Sequence, residues 1–577
     1  MGDKPPDSTN AGDTPQEGVD WNRPSESRLL AGGVWATIVS FIGGMLTWLW
    51  GSIILPRFLL PHAASYGVIT IISSYTGFIG GVVNWSVYNA MNKYFSEFYQ
   101  QDPEKALAFV RYAIRYKSIV GIFMGSGLIF IGLFIVPYFF QSSLTWAFAV
   151  LIAISSMSWF CGSFDAFNNL IYARQRFDYQ NIIALLGTIA AILVTWGAIT
   201  ALNLVFPNDP TTAGAIGIGI GGLAQTAMQW VASYFAILKL NITGGKSLRS
   251  FKFTPAESKM MFNYGKFMML QDTLNSLTSV GGFIWVFVIQ LVIQNPVALA
   301  NAIGFWNIGY NYTGVLGYSG LLSAPLFPSI SESHAAHDYK LRDRYIAISF
   351  KWAFSIGVPE TLVYVIAADN LIVGFTGSYW APSVPILMFG LTGVFISNIG
   401  NYIKSIANGV GLTRLPFYYN LIQLLIMPFA LYGFVSWFAI ANFPGIMPIV
   451  GAAFALIAQQ VISTIILWIL LRRNLAFHIP AWVAWFPLLL GGVLLIPFVL
   501  WITPWVNATV PLWIGAIILI GLFLGIYFLL YLFFGGLTPS DIAISRDIFK
   551  GNKAALQMVD GVEQFMKHSP FYGKFDF

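Results

Sequence analysis

Long apolar runs recur along this chain of 577 residues, and they constrain its fold more than any other feature. A helix needs about 20 apolar residues to cross the hydrocarbon core of a bilayer. Fourteen runs have this character, at 29–55, 66–91, 118–140, 144–173, 181–204, 215–238, 262–293, 299–327, 345–368, 381–410, 416–438, 447–471, 480–502 and 510–534. Because backbone polar groups inside a bilayer must be satisfied within the segment, the runs predict helices. We therefore expect an all-α polytopic membrane protein with 14 transmembrane helices.

Composition excludes the alternative of several soluble domains. Only 9% of the residues are charged and 57% are hydrophobic, whereas a typical soluble domain is about 25% charged. Cys161 is the single cysteine, so an intramolecular disulfide is impossible. The first 28 residues are polar and proline-rich, and they predict a disordered cytoplasmic tail.

The basic residues predict the orientation of the chain. Of the 30 Lys and Arg residues, all except Arg57 and Lys404 fall in the tails, in every second connection between apolar runs, or within the first seven residues of the run that follows such a connection. This asymmetry predicts a multi-pass protein of the cell membrane with cytoplasmic N- and C-termini. The formal charge of +6 then faces anionic membrane lipids, and we expect no nucleic-acid partner.

An internal repeat divides the first twelve runs into two halves. Three similarities share nearly one offset: Tyr75-Thr76-Gly77 with Tyr312-Thr313-Gly314, the Ser-Glu pair at 96 with that at 331, and Arg176 to Ile183 with Arg414 to Ile422. Six helices per copy give both copies the same orientation. The repeat therefore predicts two six-helix lobes related by a pseudo-twofold axis along the membrane normal, plus two extra helices.

This repeat sets the expected domain organisation, and we expect a monomer. The predicted segments are the tail 1–28, an N-lobe 29–239 (spans 1–6), a cytoplasmic linker 240–261, a C-lobe 262–473 (spans 7–12), spans 13–14 at 474–534, and a cytoplasmic C-tail 535–577 with an amphipathic helix.

Several short motifs occur in an order that resembles a known family. They are Leu55-Pro56-Arg57-Phe58-Leu59-Leu60-Pro61 followed by Tyr66-Gly67, Asp102 to Ala106, Pro325 to Pro328, Gly377-Ser378-Tyr379, and Ala407 to Leu412 followed by Asn420. Together they resemble the polysaccharide and lipid-linked oligosaccharide flippases of the multidrug/oligosaccharidyl-lipid/polysaccharide exporter (MOP) superfamily. The resemblance implies a transporter, not an enzyme, that works by alternating access of two lobes.

Ionisable residues within spans are costly and are therefore candidate functional groups. Arg57 and Lys404 could bind the phosphate of a lipid-linked substrate, since cations suit that group, and the resemblance implies a cavity mouth for Arg57. Both could equally be anchored at the headgroups. Asp165, Asp272 and Glu360 are candidates for coupling to H⁺ or Na⁺, or could serve structural hydrogen bonds. Repeat-equivalent Asp165 and Lys404 could lie on opposed walls of one cavity. We expect no other cofactor and no metal site.

Spans 7 and 8 combine amides with aromatic rings, a mixture that suits sugars. The candidate glycan contacts are Asn275, Trp306, Asn307, Tyr310 and Asn311. Hydrogen bonding between helices is the alternative interpretation. Asn507-Ala508-Thr509 is the one glycosylation sequon on a predicted outward loop.

The predicted function is translocation of a polyprenyl- or dolichyl-linked oligosaccharide from the inner to the outer leaflet. One alternative is a cation-coupled multidrug exporter of the same superfamily, which the lack of an ionisable residue in span 1 disfavours. Another is a non-transporting scaffold that recruits glycan-assembly enzymes through the C-tail. The short outward loops leave no room for a membrane glycosyltransferase.

Overall fold

The regular structure is helical throughout the part of the chain that the computed structural model describes. That part comprises residues 42–83, 87–99, 102–135, 144–174, 176–245, 248, 251–279, 281–314, 326, 330, 334, 337–412, 414–443, 446–477, 479–539, 541–542, 546 and 553–571. The predicted tail 1–28 lies outside it.

Nineteen helices within these residues position the candidate site. The first half contains α1 Ile42–Leu59, α2 Ala63–Val83, α3 Val87–Phe98, α4 Pro103–Phe130, α5 Thr145–Phe160, α6 Asp165–Ala173, α7 Phe177–Val205 and α8 Pro210–Lys239. The second half contains α9 Pro255–Thr278, α10 Phe283–Val292, α11 Pro296–Asn311, α12 Tyr339–Ile366, α13 Ala368–Thr376, α14 Val384–Gly409, α15 Arg414–Ala441 and α16 Gly451–Asn474. They are followed by α17 Trp482–Thr509, α18 Leu512–Phe533 and α19 Lys553–Lys567.

Ten of the described helical segments are long and apolar enough to cross a membrane, or eleven when α5 and α6 count as one span bent by 44°. The other three predicted spans correspond to α2, α8 and α11, with 21, 30 and 16 residues. Large apolar side chains such as Phe123, Leu204 and Phe429 are highly exposed, as expected for surfaces that face lipid. The chain is a multi-pass membrane protein, and the number fourteen is compatible with these helices.

Polar caps followed by proline start several of the helices. Asp102 accepts a hydrogen bond of 3.0 Å from the Lys105 amide before Pro103, and Asn295 caps α11 before Pro296. Proline is suited to the first helical turn because its missing N–H would be unsatisfied there anyway. Asp338 caps α12 without a following proline by accepting a hydrogen bond of 3.0 Å from the Leu341 amide, and it lies at the repeat equivalent of Asp102, 236 residues later.

Four predicted features of the spans differ from the structure. The helix that contains span 3 begins at Pro103 rather than near 118, because the preceding segment continues the same helix. Span 4 is broken between Phe160 and Asp165, and span 7 between Thr278 and Phe283. The helix α9 also begins at Pro255, within the segment assigned to the linker.

The two lobes meet where α2 crosses α11. The backbones approach so closely that a Cβ atom added to Gly67 would lie 1.8 Å from the Ala300 carbonyl oxygen. A Cβ atom added to Gly304 would lie 1.8 Å from the Ala63 oxygen. Ala63 and Ala300 are repeat equivalents, as are Gly67 and Gly304, so the contact is reciprocal. This crossing relates the lobes by a pseudo-twofold axis, as the repeat predicts.

The two extra helices pack beside the second lobe. Val363 of α12 shares a buried apolar cluster with Leu519, Phe523 and Tyr527 of α18. The Asn370 side chain in α13 donates a hydrogen bond of 2.5 Å to Asn507 near the end of α17. Hence α17 and α18 extend the second lobe.

Candidate functional site

Arg57 joins the two lobes at one end of the bundle. Its guanidinium donates hydrogen bonds of 2.8 Å to the Gly374 carbonyl and 3.0 Å to the Phe375 carbonyl. These carbonyls belong to the last turn of α13, where helix carbonyls lack intrahelical partners and carry partial negative charge. We refer to this end as outer, following the charge-based orientation, and to the opposite end as inner.

The segment after α13 closes against the segment after α1. The buried Trp380 indole donates a hydrogen bond of 3.2 Å to the Pro56 carbonyl. The Tyr379 hydroxyl accepts one of 3.3 Å from the Ala63 amide, and the Tyr66 ring meets Trp380 edge-on at 5.6 Å. The segments that contain two of the motifs of the resemblance, 56–66 and 374–380, therefore contact each other. We call these contacts, together with those of Arg57, the outer closure.

An apolar cavity of about 290 Å³ lies between the lobes next to this closure. Helices α2, α4 and α5 supply one wall, and α10 and the start of α11 supply the other. Its polar elements are few: Tyr75 donates a hydrogen bond of 3.1 Å to Gln290 across the lobes, and Thr76 and Gln294 also line it. The arrangement suits a ligand with a large apolar surface.

The candidate phosphate and coupling residues lie in different places. Lys404 is half-buried in the second lobe, with its ammonium 4.9 Å from the centre of the Tyr419 ring. Asp165 begins α6 in the first lobe and accepts a hydrogen bond of 2.6 Å from the Trp230 indole. Each thus contacts an aromatic residue of its own lobe. The Asp272 side chain is outside the described part of the chain.

The carboxyl group of Glu360 has one oxygen atom that forms no hydrogen bond among the described residues. It follows Pro359 inside α12, and its Oε2 atom is buried without a hydrogen-bond partner among the residues that the structure describes. Because an unsatisfied carboxylate is strongly disfavoured in a low-dielectric environment, this group is suited to hold a proton.

The five candidate glycan residues fall into two groups. Trp306 is only 2% exposed and stacks on Tyr310 at 5.7 Å, and Asn307 donates a hydrogen bond of 3.0 Å to Thr70. The stacking of Trp306 on Tyr310 lies within α11, whereas the Asn307 bond reaches α2 and the Trp306 ring also lies 5.1 Å from that of Trp285 in α10. Asn275 and Asn311 are exposed, whereas Asn307 and Tyr310 are half-buried.

Asn507 lies within the last turns of α17 and not on a free loop. Its amide exchanges hydrogen bonds with Asn370, at 2.5 Å in one direction and 3.3 Å in the other. A glycan on this nitrogen would disrupt the pair. Glycosylation of Asn507 stays a prediction.

Sequence reasoning missed several residues of the site. Trp380 and Thr70 gave no signal as isolated residues, although Thr70 lies at the repeat equivalent of Asn307 and could have been found that way. Lys117 was assigned to an inner connection, whereas it is buried within α4.

No protein-family model and no curated protein matches the sequence. Solved structures do match its fold. The lipid II flippase MurJ, in an inward closed conformation, aligns with a TM-score of 0.63 at 15% identity, over 86% of this chain and 98% of that chain. An inward-facing multidrug resistance MATE family transporter of the MOP superfamily aligns with a TM-score of 0.54 at 12% identity, over 78% of this chain and 96% of that chain.

The chain shares its fold with these two structures, of which the second is a transporter of the MOP superfamily. The resemblance predicted from the motifs is thereby confirmed at the level of the fold.

Proposed function

We propose that the protein is a flippase that moves a lipid-linked oligosaccharide from the inner to the outer leaflet of the cell membrane. The observation that carries the proposal is the outer closure, in which both lobes contribute side chains to one seal. Arg57, Tyr379 and Trp380 reach carbonyl or amide groups of the opposite lobe. A seal made of a few hydrogen bonds can open without unfolding either lobe, which is what alternating access requires.

In this mechanism the lobes rock about the crossing of α2 and α11. The outer closure keeps the interior sealed from the outer leaflet while the headgroup enters from the inner side. Arg57 is then released from the α13 carbonyls when the lobes rotate, and its guanidinium becomes available to the substrate phosphate. The lipid tail remains in the bilayer throughout.

Net movement needs a driving force, and Glu360 is the coupling group that we favour. Its unpartnered Oε2 can take and release a proton, whereas Asp165 is already held by Trp230. Replacement of Glu360 by Gln should abolish any stimulation of transport by a pH gradient while leaving gradient-free exchange intact. Stimulation that persists in Glu360→Gln would contradict this role.

The alternative of a multidrug exporter has one observation in its favour, the apolar character of the cavity between the lobes. Proteoliposomes separate the two functions. Vesicles containing a fluorescent lipid-linked oligosaccharide are assayed for its exposure to an external glycan-cleaving enzyme. Vesicles of the same composition are then assayed for ion-driven dye efflux.

The site is tested in the same vesicles with Arg57→Ala and Lys404→Ala, and with the exposed Arg473→Ala as matched control. Protein-dependent translocation that falls in Arg57→Ala or Lys404→Ala, but not in the control, supports the flippase and its phosphate contact. Equal translocation in all variants would support the flippase function and contradict the phosphate contact of Arg57 and Lys404. Ion-driven dye efflux without translocation of the lipid-linked oligosaccharide would support a multidrug exporter instead.

A scaffold role remains an additional proposal for the C-tail. Ser569 donates a hydrogen bond to the Phe533 carbonyl, and the Phe571 ring lies 5.5 Å from that of Phe534. The tail thus returns to α18 and leaves one side of α19 exposed, including Met558. Unchanged co-purification of glycan-assembly enzymes after removal of 553–577 would reject recruitment by this helix.

A further inference from the structure

A second cavity, of about 460 Å³, lies within the inner half of the first lobe. We call it the polar cavity. Its lining contains hydroxyl groups, two charged side chains and an indole ring: Ser73, Thr76, Ser155, Ser158, Lys117, Asp165 and Trp159. Its volume is within the range of about 300–1,000 Å³ that is usual for small-ligand sites. Thr76 also lines the apolar cavity between the lobes, so the two spaces adjoin.

The buried ammonium group of Lys117 indicates that this cavity is a ligand site rather than a packing defect. It lies 14 residues beyond the start of α4, or about 21 Å along the helix at 1.5 Å per residue. The residue is only 7% exposed. Within the described part of the chain its ammonium has no hydrogen-bond or ion-pair partner, and its contacts are the rings of Tyr88 at 5.0 Å and Trp159 at 5.9 Å. A buried cation without an acceptor is costly, and an acceptor supplied by a ligand would remove that cost.

Asp165 supplies the opposite charge on the same cavity. The break between α5 and α6 places it at the first turn of α6, where the Trp230 indole holds its Oδ1 atom at 2.6 Å. Although Lys117 and Asp165 line one space, no ion pair joins them among the described contacts. Asp165 can therefore accept hydrogen bonds from a ligand while Lys117 donates them.

This arrangement discriminates between ligand classes. An anion would be attracted by Lys117 but repelled by Asp165, and a cation would meet the reverse. A neutral molecule with many hydroxyl groups satisfies both, because each hydroxyl donates as well as accepts. The Trp159 ring adds a flat apolar surface beside these polar groups, as a sugar ring requires.

We infer that the polar cavity binds a neutral sugar unit of the transported glycan. This inference rests on the proposed flippase function and places its glycan subsite in the first lobe, away from the predicted contacts on α9 and α11. The inner position allows the sugar to be bound while the outer closure is intact.

The single native cysteine permits a direct binding test that does not depend on transport. Cys161 is replaced by Ser, and Ser158→Cys then reports on the cavity through its rate of labelling by N-ethylmaleimide. The probes are two neutral disaccharides, cellobiose and chitobiose, with glucuronic acid, glucosamine and pyrophosphate as charged counterparts. Ala256→Cys, exposed at the start of α9, is the matched control outside the cavity.

We expect a neutral disaccharide at about ten times its Kd to slow labelling of Ser158→Cys about tenfold and to leave Ala256→Cys unaffected. Lys117→Met and Asp165→Asn should each remove this protection. Asn retains an acceptor for Trp230, so that variant keeps the local fold.

Protection by pyrophosphate or by one charged sugar alone would overturn the inference and indicate an ion site. Labelling that no probe slows would also overturn it. If the protein translocates the substrate in vesicles but no sugar slows the labelling of Ser158→Cys, the glycan subsite is wrong and the flippase function stands. If a neutral sugar slows labelling but the protein does not translocate the substrate, the subsite stands and the flippase function is wrong.

Discussion

Asn307 donates a hydrogen bond of 3.0 Å to Thr70, and the two residues are 237 positions apart, the offset of the internal repeat. Two equivalent positions can touch each other only near the axis that relates them. The pair therefore marks the pseudo-twofold axis, between the reciprocal contacts of Gly67 with Ala300 and of Gly304 with Ala63. Any rocking of one lobe against the other must take place around this point.

A double-mutant cycle on this pair should give a small but measurable coupling. Thr70→Val and Asn307→Leu keep the volumes and remove the polar partners, and membrane hydrogen bonds of this kind couple by about 0.6 kcal/mol on average. The measurement is unfolding by denaturing detergent. The control is Thr188→Val, because the Thr188 hydroxyl donates to the Ala184 carbonyl of its own helix; it should show no coupling to Asn307→Leu. Zero coupling between Thr70 and Asn307 would contradict a contact at the axis.

Substitution of Gly304 by Ala should act on the conformation rather than on one bond. The added Cβ would lie 1.8 Å from the Ala63 oxygen, so the crossing helices must separate and the outer closure must weaken. We expect spin-label distances across the outer end to shift towards an open population and transport to fall. Gly127→Ala on α4, with nothing within 4 Å of the new atom, is the matched control. Unchanged distances in Gly304→Ala would show that the crossing does not control the closure.

The sequence predicted the helical class, the two lobes and their relation, because these depend on repeated patterns. An apolar run identifies a membrane-spanning helix along its whole length. The repeat is visible in the nearly constant offset between similar motifs, such as those that begin at Tyr75 and Tyr312. Helix breaks were missed because they depend on local geometry. The interruption before Asp165 contains no proline and lies within an apolar run, so hydropathy alone does not reveal it.

Individual side-chain roles were less predictable, since they depend on what the opposite lobe supplies. Arg57 was a candidate because it is the one basic residue on the predicted outer side. Its partners are the backbone carbonyls of Gly374 and Phe375, and because every residue has a carbonyl group, the sequence does not indicate which ones it binds. Lys117 was hidden by the adjacent charges of its helix, and only tertiary packing shows that it faces a cavity. Trp306 is an aromatic residue of the kind found in sugar-binding sites, but in the structure its ring packs against other aromatic rings inside the helix bundle.

Acid should release α19 from Arg546. Arg546 donates to Asp560 at 2.7 Å and to Glu563, and Lys567 lies 3.0 Å from Glu563. The hydrogen bond from Lys567, and then Arg546, lower the pKa of the Glu563 carboxyl. A lowered carboxyl pKa contributes stability above the ordinary Glu pKa of about 4.3, and this is lost as the pH falls through the lower folded value.

The measurement is the mobility of a spin label at Met558→Cys, an exposed position of α19, in a Cys161→Ser background. We expect mobility to rise below about pH 4 and also at high salt, which screens exposed charges. Glu563→Gln should raise mobility at neutral pH and flatten the acid response. A response to acid of the same size in Glu563→Gln would assign it to other carboxyl groups.

Loss of one member of the Lys351–Asp541 pair should destabilise the inner end of the second lobe. The ammonium of Lys351, in α12, lies 2.5 Å from Asp541 in the C-tail, and both side chains are buried. Thr538 donates two further hydrogen bonds to the same carboxylate oxygen. Removing one member of a buried pair costs about 3–5 kcal/mol because the other charge is left unpaired, whereas replacing both by apolar residues is often neutral. Lys351→Met alone should therefore lower the unfolding free energy in detergent and expose the tail to protease. The double variant Lys351→Met/Asp541→Leu should recover most of the loss. If the double variant is as unstable as the single one, the pair holds the tail through its geometry and not through compensation of charge.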